Sequence, residues 1–245
     1  MKKNGTYILT GATSGIGKVC VEKLLEKGHE CFVVGRNQSI MDTFKDKYPD
    51  TVKTFNVDLS DYNSIDSFIS RIKPDVVLNG FIHCAGVAPL KKIEENEPTV
   101  VLQTYMVNTF SFIEIIRLLF DNNILKNDAS IVAISSVAAH RGSNRQAIYS
   151  GTKAALEATI RCMAKEFISK KTKIRINSIV SGTVETGMLK DLRQNSPGID
   201  EKLAVTYPLG IISPENIYNM VEYLLSDAAI NITGASMQLD SGFLL

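Results

Sequence analysis

Of the eight tyrosines in the chain, Tyr149 alone has a lysine four residues on, Lys153. Residues so spaced share one face of a helix and can touch. A phenol at its ordinary pKa of about 10 is a poor acid or base at neutral pH, whereas a neighbouring ammonium and a helix N-terminus both favour the phenolate. The expected chemistry is proton donation by Tyr149. A solvated surface pair has the same spacing, so the pair gains meaning only beside other groups.

The second chemical stretch is Thr10 to Gly17, Thr-Gly-Ala-Thr-Ser-Gly-Ile-Gly, set between an apolar strand and an amphipathic helix. A glycine turn that opens a helix lets backbone N–H groups and the positive helix end approach a pyrophosphate closely. The spacing of Gly11, Gly15 and Gly17 departs from Gly-x-Gly-x-x-Gly, and a turn that merely reverses the chain would read alike.

The elements that must position these groups alternate along the chain. Strands are expected at Thr6–Thr10, 31–35, 51–56, 76–84, 130–135, 174–180 and Ser236–Leu239. Helices are expected at 15–27, 38–48, 98–120, 146–170 and Pro214–Leu225, with another through residue 72 that Ser60 caps. Buried strands joined by helices predict a parallel sheet with helices on both faces and ligands beyond the strands' carboxyl ends. Helix 98–120 is apolar around most of its circumference, which predicts burial against a second subunit and so a homo-oligomer, dimer or tetramer. The polar stretch 182–213 reads as one long irregular segment, a substrate lid.

A length of 245 residues suits one domain, 1–245. At 44% hydrophobic, 22% charged and net charge +1, the composition gives no electrostatic case for nucleic acid or a membrane surface, leaving small molecules or protein as partners. The N-terminus runs directly into the first strand without a signal peptide, and no apolar run reads as a membrane span, so the expected compartment is the cytoplasm. Cys20, Cys31, Cys84 and Cys162 are too scattered for a metal or disulfide framework and read as buried thiols.

Together these features resemble the classical short-chain dehydrogenase/reductase family, nearest its 3-oxoacyl-acyl-carrier-protein reductase-like members. The matching residues are Thr10-Gly-x-x-x-Gly-Ile-Gly17, Asp58 after the third strand, Ala85-Gly86 after the fourth, Asn108, Ser136, Tyr149-x-x-x-Lys153 and Asn177. The likeness runs over almost the whole length. It implies a single-domain, Rossmann-type, doubly wound parallel sheet of seven strands. In that family's chemistry Tyr149 would protonate a carbonyl oxygen as hydride arrives from a nicotinamide, and Ser136 would hydrogen-bond the same oxygen. Lys153 would lower the tyrosine pKa and bind the nicotinamide ribose, while Asn108 would hold a water leading to Lys153. The implied cofactor cradle is Gly11, Thr13, Ser14, Gly15, Ile16, Gly17, Arg36, Asp58, Leu59, Ala85, Gly86, Gly182, Val184 and Thr186, joined by Tyr149 and Lys153. Within it Asp58 would meet the adenine and Thr186 the carboxamide. No metal is implied.

Cofactor choice depends on charge. In such folds an acid at the end of the second strand binds the NAD ribose, and an arginine there accommodates the NADP phosphate. The sequence here is Val34-Gly35-Arg36-Asn37, which predicts NADP(H), with NAD(H) left open because Ser14 stands where many relatives add a second basic residue. Three departures from the family pattern are His83-Cys84 before Ala85-Gly86, Ser181-Gly182 after the sixth strand, and Asp240-Ser241-Gly242 near the C-terminus. His83 is read as a structural replacement. Val87, Ala88, Leu90, Ala138, Ala139, Ile148, Met188 and Leu189 could line a partly apolar pocket for a ketone of modest size. His140, Arg141 and Arg145 are either anion contacts or a solvated basic loop. A 3-oxoacyl thioester, a keto sugar, a secondary metabolite or a non-catalytic NADP-binding sensor all remain open.

Overall fold

Strand β1 (Thr6–Thr10) sends Tyr7 and Leu9 to one side and Ile8 to the other, and each side meets its own core. That alternation, repeated in neighbouring strands, makes a sheet covered on both faces. The computed structural model describes residues 4–195 and 197–245; Met1 to Lys3 of the N-terminal lead-in and Ser196 of the 182–213 stretch lie outside the described residues. The other strands are β2 (Glu30–Gly35), β3 (Val52–Asn56), β4 (Leu78–His83), β5 (Leu125–Ser136), β6 (Arg175–Ser181) and β7 (Ser236–Leu239). All pairs are parallel, in the order β3-β2-β1-β4-β5-β6-β7.

On one face Ile8, Phe32, Phe81 and Ile131 pack against α3 (Tyr62–Ser70), α5 (Ser111–Asp121) and α6 (Ala147–Ser169) through Phe68, Phe112 and Leu156. On the other, Leu9, Val33, Ile82 and Val132 meet α1 (Gly15–Glu26), α2 (Gln38–Lys47) and α9 (Pro214–Leu225) through Leu24, Met41 and Val221. After β3 the chain crosses to the far side of β1 to lay down β4. The loops leaving β1 and β4 therefore part in opposite directions and open a crevice at their carboxyl ends, where such sheets bind ligands.

Three expectations need correction. Asp61, not Ser60, caps α3 by accepting from the Asn63 and Ser64 amides, and Ser60 instead donates to Asp58. A carboxylate so placed offers two acceptor oxygens to the free amides, where a serine offers one. The stretch 182–213 is not irregular: it holds α7 (Gly187–Asn195) and α8 (Ile199–Thr206). Leu189, Leu203 and Tyr207 bury against Leu192, Ile199, Ile211 and Phe243, a small core that rewards helical spacing in an otherwise polar segment.

The third concerns helix 98–120, which forms as α4 (Pro98–Tyr105), a π turn (Met106–Phe110) and α5. Contrary to the reading that no run is long enough, Pro98–Asp121 is long and apolar enough to span a membrane by length and composition. Its apolar character has another use here, because Phe112, Ile115 and Leu119 are wholly buried against the sheet while Leu102 and Phe110 face outward. Of the four cysteines, Cys20 and Cys31 are buried as expected, whereas Cys84 is partly open and Cys162 is exposed.

Candidate active site

Strand β5 ends at Ser136, α6 begins two residues before Tyr149, and the π turn carries Asn108. These three elements and the turn after β4 meet at the carboxyl edge of the sheet. Gly151 permits the approach, since a Cβ there would lie 2.6 Å from the Tyr105 hydroxyl of α4. The Asn108 carboxamide is fully buried, accepts from the Val87 amide at 2.8 Å, and donates to the Val87 carbonyl at 2.9 Å and Thr152 Oγ1 at 3.0 Å. Thr152 in turn donates to the Tyr149 carbonyl at 2.7 Å. Gly86 completes the convergence, for a Cβ there would be 3.5 Å from Lys153 Nζ and 3.6 Å from Asn108 Oδ1.

Lys153 is buried and donates to the Ile134 carbonyl at 2.7 Å. Its ammonium lies 5.9 Å from the centre of the Tyr149 ring. Burial pushes the lysine pKa down to about 8, with Cys84 and Glu157 pulling it back up. The Tyr149 phenol is shifted up by burial, and its contact with the Ser136 hydroxyl opposes that shift. Burial thus acts on the phenol against the direction expected from Lys153 and the helix end.

A cavity of about 440 Å³ opens over this group. Ser136, Tyr149, Lys153, Gly86, Ile16, Gly182, Val184 and Thr186 line it, as do Ala88, Leu90, Ala138, Met188 and Leu189. The 182–213 segment forms much of its wall through Leu192, Ile199, Leu203 and Tyr207. Tyr207 anchors that wall, its hydroxyl meeting the Thr183 amide at 3.1 Å and Thr183 Oγ1 at 2.8 Å while its ring stacks on Phe243. Val87, Ala139 and Ile148 do not line the cavity. A second cavity, of about 660 Å³, lies between α9 and β7 and touches none of Asn108, Ser136, Tyr149 or Lys153.

The cradle for a dinucleotide is built by close backbone approach. Gly11 has φ of 62° and a Cβ there would lie 2.7 Å from the Ala85 backbone; at Gly17 it would lie 2.3 Å from the Gly11 carbonyl oxygen. Ser14 precedes α1 without a side-chain cap, which leaves the first amides of the helix turned toward the crevice. Gly35 lets Thr13 lie against the end of β2, since a Cβ would meet its side chain at 2.6 Å. That contact brings exposed Arg36 to the rim beside the turn. Asp58 is held below the usual carboxylate range first by the Ser60 amide and hydroxyl and, more weakly, by Arg36. Buried Leu59 comes directly after it. These groups fit a nicotinamide dinucleotide.

His83 occupies the sheet beneath the site, with Nδ1 2.8 Å from Thr10 Oγ1, and Phe81 and Phe112 beside its ring. Complete burial pushes its pKa down to about 3. Asn177 joins β6 to the approach to β7, donating to the Ile232 carbonyl and accepting from the Ala235 amide. Of the basic residues between Ser136 and Tyr149, His140 meets Glu157 and Arg141 lies over the Phe243 ring. Sequence reasoning passed over Glu157, although an acid four residues after Lys153 was a readable signal.

Comparison with known proteins finds relatives along most of the chain. L-xylulose reductase of Caenorhabditis elegans is 29% identical over 239 residues, covering 96% of this chain and 94% of that protein. Carbonyl reductase [NADPH] 2 of Sus scrofa is 27% identical over 240 residues, covering 97% and 95%. A solved short-chain dehydrogenase family protein from Francisella tularensis superposes with a TM-score of 0.85 at 25% identity, covering 98% of this chain and 99% of its own. A family model described as enoyl-(acyl carrier protein) reductase matches residues 11–244, and with that match, the fold and the site together, the chain belongs to the short-chain dehydrogenase/reductase family of nicotinamide-dependent oxidoreductases.

Proposed function

We propose that the chain reduces a ketone to a secondary alcohol with NADPH as reductant. The observation that carries this reading is the convergence of the Tyr149 phenol and the Ser136 hydroxyl on one cavity that also reaches Ile16 of the glycine turn. Gly11 to Gly17 would hold a nicotinamide dinucleotide, which would supply the hydride. Tyr149 donates the proton to the carbonyl oxygen and Ser136 donates a hydrogen bond to it, so negative charge arising there is met as it forms. Lys153 holds a ribose and offers a positive charge behind Tyr149, and Asn108 fixes the Val87 loop beside them. Arg36, with no carboxylate at the end of β2, favours the phosphorylated cofactor.

The segment 182–213 acts as the substrate lid of a single 1–245 domain. Leu90, Leu189, Leu192, Leu203 and Phe243 favour a ketone with an apolar chain or ring, such as a 3-oxoacyl thioester, over a keto sugar. Leu102 and Phe110 on the outer face of α4 and the π turn support a homo-oligomer. Phe112, Ile115 and Leu119 commit the apolar rod 98–121 to the sheet rather than to a bilayer, which supports a cytoplasmic site of action. NADPH oxidation against acetoacetyl thioesters, keto sugars, diketones and steroids tests the reading. Tyr149→Phe should abolish turnover while NADPH still binds. Retained turnover in that variant would refute the assignment, and silence of the native enzyme over the whole panel would favour a non-catalytic sensor.

A further inference from the structure

The charged group that this chemistry leaves unused is Glu157. It sits on α6 one turn beyond Lys153 and is 2% exposed. Three side chains from outside its own helix converge on its carboxylate: Ser135 Oγ of β5 at 2.5 Å, Ser236 Oγ of β7 at 2.8 Å, and His140 Nε2 at 2.9 Å. Ser178 of β6 donates to Ser236 Oγ at 3.1 Å, so strands β5, β6 and β7 are all tied to this one acid. His140 is the outer end of the network, with 40% of its side chain exposed.

A buried carboxylate costs several kcal/mol of desolvation, and an apolar residue of similar size in such a place is often neutral or better for stability. A fully bonded acid kept there instead points to an electrostatic task. Its neighbour in need of one is the Lys153 ammonium, which is buried and bonded to a neutral carbonyl. The groups facing Lys153 are Glu157 and Tyr149 on its own helix, and His83 and Cys84 at the end of β4. Of these Glu157 alone is a carboxylate; Cys84, whose pull on Lys153 is the larger, is a thiol, whereas Glu157 is held by three side chains. We propose that Glu157 is a positioning residue for Lys153, its carboxylate fixed by Ser135, Ser236 and His140 so that the lysine stays charged inside the cavity. Through Ser135 it also fixes the residue before Ser136. The inference rests on the catalytic reading of Lys153 and Ser136, but its test does not.

The test is the titration of Lys153 in the full-length protein, measured by competitive labelling with acetic anhydride across pH 6 to 11 and mass spectrometry of the peptide that holds it. Glu157→Gln should move the labelling midpoint of Lys153 down by about one pH unit, while Glu157→Asp, which keeps the charge, restores most of the shift. Glu157→Met, which replaces the acid by apolar volume, should move it the same way and carries the test if the glutamine variant does not fold. A midpoint unchanged in a folded Gln or Met variant would overturn the proposal. Failure of the catalytic reading would appear separately, as turnover retained in Lys153→Met.

Discussion

The Asn108 carboxamide grips both backbone polar groups of a single residue, Val87, taking its N–H at 2.8 Å and giving to its carbonyl at 2.9 Å. This pair of hydrogen bonds between the π turn and the loop after β4 fixes the wall of the site next to Lys153. Asn108→Ala leaves both Val87 groups without partners, at about 1–3 kcal/mol each before the loop relaxes, and takes one donor from Thr152, which keeps its bond to the Tyr149 carbonyl. A fall in melting temperature of roughly 5–10 °C and a loss of at least about tenfold in kcat are expected, read by calorimetry and steady-state kinetics.

Lys153 should trade stability for function. Its folded pKa of about 8 lies below the ordinary lysine value, so keeping it charged opposes folding below pH 8, and that cost fades as pH rises toward 10.5. Lys153→Met is expected to gain about 1–3 kcal/mol at pH 7, to lose that advantage near pH 10, and to show no turnover. Denaturant titrations at the two pH values measure it.

His83 should set the acid limit of the fold. With its pKa pushed to about 3 by burial, the unfolded chain binds a proton that the folded chain refuses between about pH 6.5 and 3. Stability from this group is complete above pH 6.5 and falls by up to about 1.4 kcal/mol per pH unit below it. His83→Asn should flatten the decline in melting temperature between pH 7 and 4.5.

Arg36→Leu should lower kcat/KM for NADPH by roughly 10- to 100-fold, the worth of a charged hydrogen bond, and leave the value for NADH nearly unchanged. An equal fall for both cofactors would mean that Arg36 shapes the rim without reading the phosphate.

Much of the fold was legible because its signals are local. The unbroken apolar run Tyr7, Ile8 and Leu9 and the glycines at 11, 15 and 17 predict a covered strand and a close turn from residues adjacent in sequence. The structure brings Ser136, Tyr149 and Lys153 to one cavity, but their electrostatics lay beyond the reach of sequence. Spacing puts Tyr149 beside Lys153, yet the burial that pushes the phenol pKa up comes from elements distant in sequence. Glu157 escaped for a similar reason, since one of its partners, Ser236, lies 79 residues away. The helices within 182–213 were hidden by polarity, because their apolar residues pack on one another and on Phe243 rather than on the main core.

The π turn at Met106–Phe110 carries a consequence that is one of count rather than chemistry. An α-helix advances about 100° per residue, and a π turn takes up one residue more than an α turn without displacing the helix on its C-terminal side. Deleting a single residue there would let an unbroken α-helix run from Pro98 to Asp121, with Phe112 to Leu119 still seated on the sheet. The helices on either side would keep their places, and only the widened turn that carries Asn108 would close, drawing its carboxamide away from Val87. This wall of the pocket thus hangs on one surplus residue in a single rod.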